Sequence, residues 1–234
     1  MNEASADTNN DSAPDRTWSP LNPAQRRVFG VLIEKAKTTP DAYPLTLNAT
    51  TTGCNQKSNR APQTDYETDD VQETLDSLRQ LGAVVEVQGD GRAAKFRHRA
   101  YDWLSVDKTE AAVLAELLLR GPQTLGELRS RAARMEAIVD LNALRPIVDA
   151  LLSKQLMVEL SPPGRGQVVT HGLYGEEEMA RLQKDAPQST TTPTRSQTTT
   201  NSTSERITSL EAELSTLRDR VEILETRIES WESA

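Results

Sequence analysis

The chain is poor in the residues that stabilise small folds covalently or by metal. It has one cysteine, Cys54, and two histidines, His98 and His171, in 234 residues. One thiol excludes a disulfide framework. Three such side chains, scattered along the sequence, do not make a structural zinc site. Aromatic residues are 4% and hydrophobic residues 36% of the chain, with a mean hydropathy of -0.59. An ordinary domain carries about 45–50% apolar residues with glycine counted, so part of this chain lies outside any core. No apolar run approaches the roughly 20 residues of a membrane span. The opening MNEASADTNNDSAPDR is acidic and polar, where a secretory signal is basic and then apolar. The expected location is therefore cytoplasmic, with no membrane partner. P-loop, GxSxG, HExxH and dinucleotide fingerprints are all missing. The expectation is a protein that is not an enzyme and uses no cofactor and no metal. Cys54, at an apolar-to-polar helix end, reads as a buried structural thiol.

The net charge of -8 discourages nucleic-acid binding, but it is unevenly spread. Residues 21–99 hold eleven basic and ten acidic side chains, and residues 105–174 hold eight of each. The acidity lies mainly in the ends, with four basic and eight acidic residues over 201–234. A near-neutral middle leaves room for a local basic patch.

Five segments follow from composition and periodicity. Residues 1–20 form a polar extension expected to lack order. Residues 21–104 and 105–182 form two similar halves. Residues 183–204 include APQSTTTPTRSQTTTNSTS, a Thr/Ser/Pro tract that reads as a flexible linker. Residues 205–234 carry heptads. Ile207, Leu214, Val221 and Ile228 take the a positions, and Leu210, Leu217, Leu224 and Trp231 take the d positions. Largely β-branched a and leucine d residues favour a parallel two-stranded coil. The charges flanking this seam agree. Arg206 with Glu211, Glu213 with Arg218, Arg220 with Glu225, and Arg227 with Glu232 are all attractive in a parallel homodimer. The alternative is an amphipathic helix docked on its own chain.

The two halves repeat one order of elements. In the first, Asn22 caps a helix with Pro23 at its first position, and Val28, Val31 and Leu32 line one face. LTLNATTTGC follows as a short helix, then a polar loop. A helix over about 68–81 has Val71, Leu75 and Leu78 inward and Gly82 as its stop. VVEV and AAKFRHR flank a glycine-bearing turn and form a hairpin. The second half runs through helices over about 108–120 and 125–133 and a third reaching Lys154. In that third helix Pro146 implies either a start near Arg145 or a kinked first turn. LMVEL and QVVTHGLY then flank SPPGRG. LDSLRQLGAVVEV at 75–87 aligns without a gap with VDALLSKQLMVEL at 148–160. Three helices and a hairpin, twice, describe two tandem winged helix-turn-helix units. The fold class is mostly α with small β-hairpins (α+β), followed by the coiled-coil helix.

The segments LNPAQRRVFGVLIEKAKTTPDAYPLTLNA, CNQKSNRAP, VQETLDSLRQLG, KFRHR and AVLAELLLRGPQTLGELRSRA resemble the YceH-type family of bacterial proteins across about 21–175. The resemblance implies a tandem winged-helix protein with a C-terminal coil and implies no biochemical role. The acidic extension and the Thr-rich linker depart from that family.

Candidate contacts to double-stranded DNA lie in two places. Gln56, Lys57, Asn59 and Arg60 occupy the loop between the second and third helices, suited to phosphates and base edges. Arg92, Lys95, Arg97 and Arg99 lie on the first wing, where alternation puts Lys95, Arg97 and Arg99 on one face. The same loop residues also serve as turn formers, and Arg60 as the partner of an acid. Against DNA, the third helix opens with Glu67, Asp69, Asp70, Glu73 and Asp76. These suit its dipole and repel phosphates. Arg129, Arg131 and Arg134 read as solvated. Leu118 or Leu119 is a candidate interdomain or dimer contact. The leading expectation is a dimeric, DNA-binding regulatory protein. The alternative is a scaffold whose winged helices bind an unidentified protein partner.

Overall fold

The computed structural model describes residues 18–88 and 93–185. The heptad segment, the Thr-rich tract and Arg92 lie outside the described residues. The first half contains α1 (Pro23–Thr38), a 3-10 turn (Pro40–Ala42), β1 (Leu45–Thr46), α2 (Leu47–Cys54), α3 (Thr68–Gln80), β2 (Val84–Gln88), β3 (Ala94–His98) and α4 (Ala100–Trp103). The second contains α5 (Lys108–Arg120), β4 (Gln123–Thr124), α6 (Leu125–Ala132), α7 (Leu141–Ser153), β5 (Met157–Glu159), β6 (Val168–His171) and α8 (Glu176–Asp185). The fold is mixed α+β, helices with two small antiparallel sheets ordered β1-β3-β2 and β4-β6-β5.

Caps set most helix starts. Asn22 and Gln25 form a reciprocal capping box on α1, with Pro23 at the first position. Asp107 and Glu110 do the same for α5. Thr46 and Thr124 cap α2 and α6 in the same way, each accepting from the amide three residues on. Each of these threonines also ends a two-residue strand, β1 or β4, that pairs with β3 or β6.

The internal repeat is geometric as well as sequential. α3 and α7 have the same length, and both begin and end 73 positions apart. After each helix the chain turns through a left-handed residue, Gly82 at φ +76° and Gln155 at φ +57°. The next amide reaches back to close the turn, Ala83 to Leu78 and Leu156 to Leu151. Gly82 adopts this φ without cost, whereas Gln155 bears the strain of a side chain there.

One apolar cluster runs from Trp18 to Leu173 through both halves. α1 is its axis. Every residue from Gln25 to Glu34 is buried, not one face alone, because α2 and α3 pack on one side and α5 on another. Gly30 permits the close approach of α5. A Cβ there would stand 3.0 Å from Leu119 Cγ and 3.2 Å from Leu118 Cβ. Leu118 and Leu119 thus join the two halves.

Four expectations need correction. Trp18, assigned to the unordered extension, is buried in the core, where its large apolar surface is removed from water. α7 starts at Leu141, capped by Asp140, and continues through Pro146. Positions 183–185, placed in the linker, complete α8. LTLNATTTGC begins as β1 and becomes α2 only at Leu47.

Candidate functional site

The loop from Asn55 to Glu67 joins α2 to α3, and its polar residues mostly bind one another. Asn55 accepts from the Tyr66 amide at 2.8 Å and donates to the Tyr66 carbonyl at 2.8 Å, closing the loop at its base. Gln56 accepts from Lys35 and donates to Ser58. Asn59 has a left-handed φ of 59°, and its side-chain oxygen accepts from Arg120 at 2.7 Å. Arg60 points inward. Its side chain is 0% exposed and forks onto Glu34, itself 1% exposed, at 2.5 and 3.1 Å. Its Nε donates to the Gly53 carbonyl at 3.0 Å. Arg60 is therefore withdrawn as a DNA contact, because its charge is already neutralised inside the fold. Gln56 and Asn59 are committed to loop geometry. Lys57 alone of the four is exposed with no carboxylate partner among the described residues.

On β3, Phe96 and His98 are buried and Arg97 is exposed, as strand alternation requires. Lys95 is half-buried on the outer face. Arg99 leaves the stripe. The strand ends at His98, and Arg99 pairs with Asp102 at 3.3 Å. His98 is part of the wall beneath. Its amide donates to the Tyr43 hydroxyl at 2.7 Å, and its Nδ1 accepts from the Ala100 amide at 3.2 Å. Burial, then Lys37 and Arg97, lower its pKa to about 4. Burial likewise raises the Cys54 thiol to about 12, in keeping with a structural role.

Arg134 is the residue that sequence reading missed. Though partly exposed, it bridges the halves, donating to Glu34 on α1 and to Glu116 on α5, the latter at 2.9 Å. Arg120 adds a contact to Glu116 at 3.0 Å. Burial pushes the Glu34 carboxyl up, but Arg60 and then Arg134 outweigh it and hold the pKa below the ordinary value. Burial prevails at Glu116 and raises it. Only Glu116 and Arg120 have the i,i+4 spacing of a helical pair; the arginine partners of Glu34 lie 26 and 100 positions away and leave no periodic signature.

The outward ends of the third helices differ sharply between halves. At the start of α3, Glu67, Asp69, Asp70 and Glu73 are exposed. At the equivalent start of α7, Val139 is 80% and Leu141 50% exposed. Leu141 lines a groove of about 400 Å³ between α6, α7 and the β5–β6 hairpin, with Leu125, Leu144 and Val148 as its apolar walls and Arg145 and Arg165 among its polar lining. Among the described residues no group of three or more side chains could hold a metal ion. No described helix is long and apolar enough to cross a membrane.

A family model described as "Protein of unknown function, DUF480" matches residues 21–165. A UPF0502 protein of Rhodopirellula baltica is 52% identical over 182 residues, covering 78% of this chain and 75% of that one. A UPF0502 protein of Geobacter sulfurreducens is 41% identical over 201 residues, covering 84% and 90%. One from Xanthomonas campestris is 38% identical over 213 residues, covering 90% and 95%.

Proposed function

The chain belongs to the DUF480 family, and from the geometry of its helix ends we propose that it is a tandem winged-helix adaptor that binds protein. Each half supplies the three helices and the hairpin of such a unit. The carrying observation is the pair of exposed third-helix starts. A helix that enters a major groove presents donors and cations there. Here one start is acidic, and the other exposes Val139 and Leu141 beside the polar Asn142 and Arg145. Four exposed acids repel phosphate. Val139 and Leu141 suit a partner segment bearing aliphatic side chains, whose burial is worth about 25 cal/mol per Å².

A photo-crosslinker at position 141 tests this, with one at Ser153 on the far end of α7 as control. The expected result is a discrete adduct from position 141 that Val139→Asp abolishes. Equal yields from both positions overturn the reading.

A second reading, duplex binding by the first wing, is favoured by one observation. Lys57, Lys95 and Arg97 make no ion pair among the described residues. Its signature is binding of duplex fragments that weakens steeply between about 50 and 200 mM salt. Charge reversal at those three positions would then abolish it.

The heptads of residues 205–234 support a parallel homodimeric coil in the same reading. A chain lacking those residues is expected to sediment as a monomer. A dimer that persists at micromolar concentration refutes the coil as the main contact.

A further inference from the structure

A half-enclosed cleft of about 330 Å³ lies where α1, the loop after α2, the end of α5, β6 and α8 meet. Its walls are built from charge and rings. Arg26 forks onto Glu178 at 2.6 and 2.9 Å and lies 4.5 Å over the Tyr174 ring. His171 also stacks on that ring, 3.9 Å between centroids and 20° from parallel. Arg27 is different from its neighbours. It is buried, and its partners are two carbonyls, Pro62 at 2.6 Å and Cys54 at 3.4 Å. No carboxylate among the described residues pairs with it. Its Nε and the Nδ1 of His171 are both buried without a hydrogen-bond partner.

The surrounding ion pairs do not make up the deficit. Glu34 and Glu116 already serve Arg60, Arg120 and Arg134. Arg27 is thus a fourth guanidinium beside two carboxylates. A buried cation without a counter-ion is costly, and so is a buried N–H without an acceptor. An anion entering the cleft, which Arg27 and His171 both line, would give Arg27 the counter-ion it lacks.

We propose that this cleft binds a small organic or inorganic oxyanion, with a carboxylate or phosphate group set against Arg27 and His171. The volume suits a metabolite-sized molecule. The Arg26–Tyr174–His171 stack forms a rigid wall for its body. The guanidinium fork gives the geometry that such groups prefer. The cleft is formed by both halves and by α8, so occupancy would bear on how firmly these parts are held together.

The two histidines make the test specific. Imidazole nitrogen resonances of the full chain are followed while inorganic phosphate or benzoate is titrated against chloride at constant ionic strength. The expected result is a saturable shift of His171 with His98 unmoved. Phosphate alone, benzoate alone or both as effective probes defines the class of oxyanion. Arg27→Lys keeps the charge but loses the fork and is expected to weaken the response about tenfold. Leu182→Glu, on the cleft-lining surface of α8, places a carboxylate at the site and is expected to abolish it without disturbing the core. Shifts that are equal at both histidines, or absent with both probes, or unchanged in Leu182→Glu, overturn the proposal.

Discussion

Arg60 and Glu34 form a two-pronged ion pair that water does not reach, at 2.5 and 3.1 Å with side chains 0% and 1% exposed. The pair ties the loop after α2 to the middle of α1, and Arg134 extends the tie to the second half. Removing one member leaves the other charged and buried. Arg60→Ala is therefore expected to cost about 3–5 kcal/mol in urea unfolding. Replacing both residues with apolar ones of similar volume, Arg60→Met with Glu34→Leu, is expected to cost less than the two single changes combined. Additive losses would show that the two side chains act separately.

Two glycine-to-alanine changes should move stability in opposite directions. Gly126 lies in α6 with nothing within 4 Å of an added Cβ. Alanine there is expected to raise stability by about 0.5–1 kcal/mol. At Gly172 an added Cβ would land on the Gln155 carbonyl oxygen. The Gly172 amide holds the Leu156 carbonyl at 2.8 Å, so the chain cannot retreat without losing that bond. Gly172→Ala is expected to lower the denaturation midpoint, by about 1–3 kcal/mol in stability.

Acid sensitivity should begin at the two buried histidines, His171 and His98. The pKa of His98 falls from 6.5 to about 4 in the fold, through burial first and then Lys37 and Arg97. The unfolded chain takes up a proton that the folded chain refuses. The contribution is therefore whole above pH 6.5 and is lost as pH falls from 6.5 towards 4, about 3 kcal/mol in total. Between pH 6.5 and 5 the wild-type midpoint is expected to fall more than that of His98→Asn, which offers the Ala100 amide an acceptor but does not titrate. Equal slopes would exclude His98 as the source.

α8 depends on one ion pair. Glu178 binds Arg26 while being 38% exposed itself. Glu178→Ala is expected to change global stability by no more than about 1 kcal/mol. Its effect should instead be local, as faster trypsin cleavage at Arg181 and Lys184. Unchanged cleavage would mean that the contacts of Leu182 and its neighbours hold the helix.

Much of the fold was legible because it rests on local rules. α5 spans Lys108–Arg120, the bounds expected from the sequence, and α3 ends at the turn that Gly82 makes. The gapless match of 75–87 with 148–160 corresponds to helices and strands in the same register. β1 and β4 were not legible, because two residues are too few to show alternation. α7 passed through Pro146 because Asp140 and a buried face set by Leu144, Val148 and Leu151 outweigh one missing bond. The site was read less well than the fold. CNQKSNR has the composition of a phosphate-binding loop, yet Arg60 turns inward to an acid 26 residues earlier. Spacing along a chain carries no information about which way such a loop faces.

The burial of α1 on all sides has a consequence for synthesis. Its Gly30 face is covered by Leu118 and Leu119, nearly ninety residues later. A ribosome adding about 5–20 residues per second leaves that apolar stripe bare for several seconds. A chain halted after α4 would have a finished first sheet and an unfinished first helix. Such a fragment should be the species that chaperones hold and proteases clear, and the two halves should be inherited, expressed and lost together.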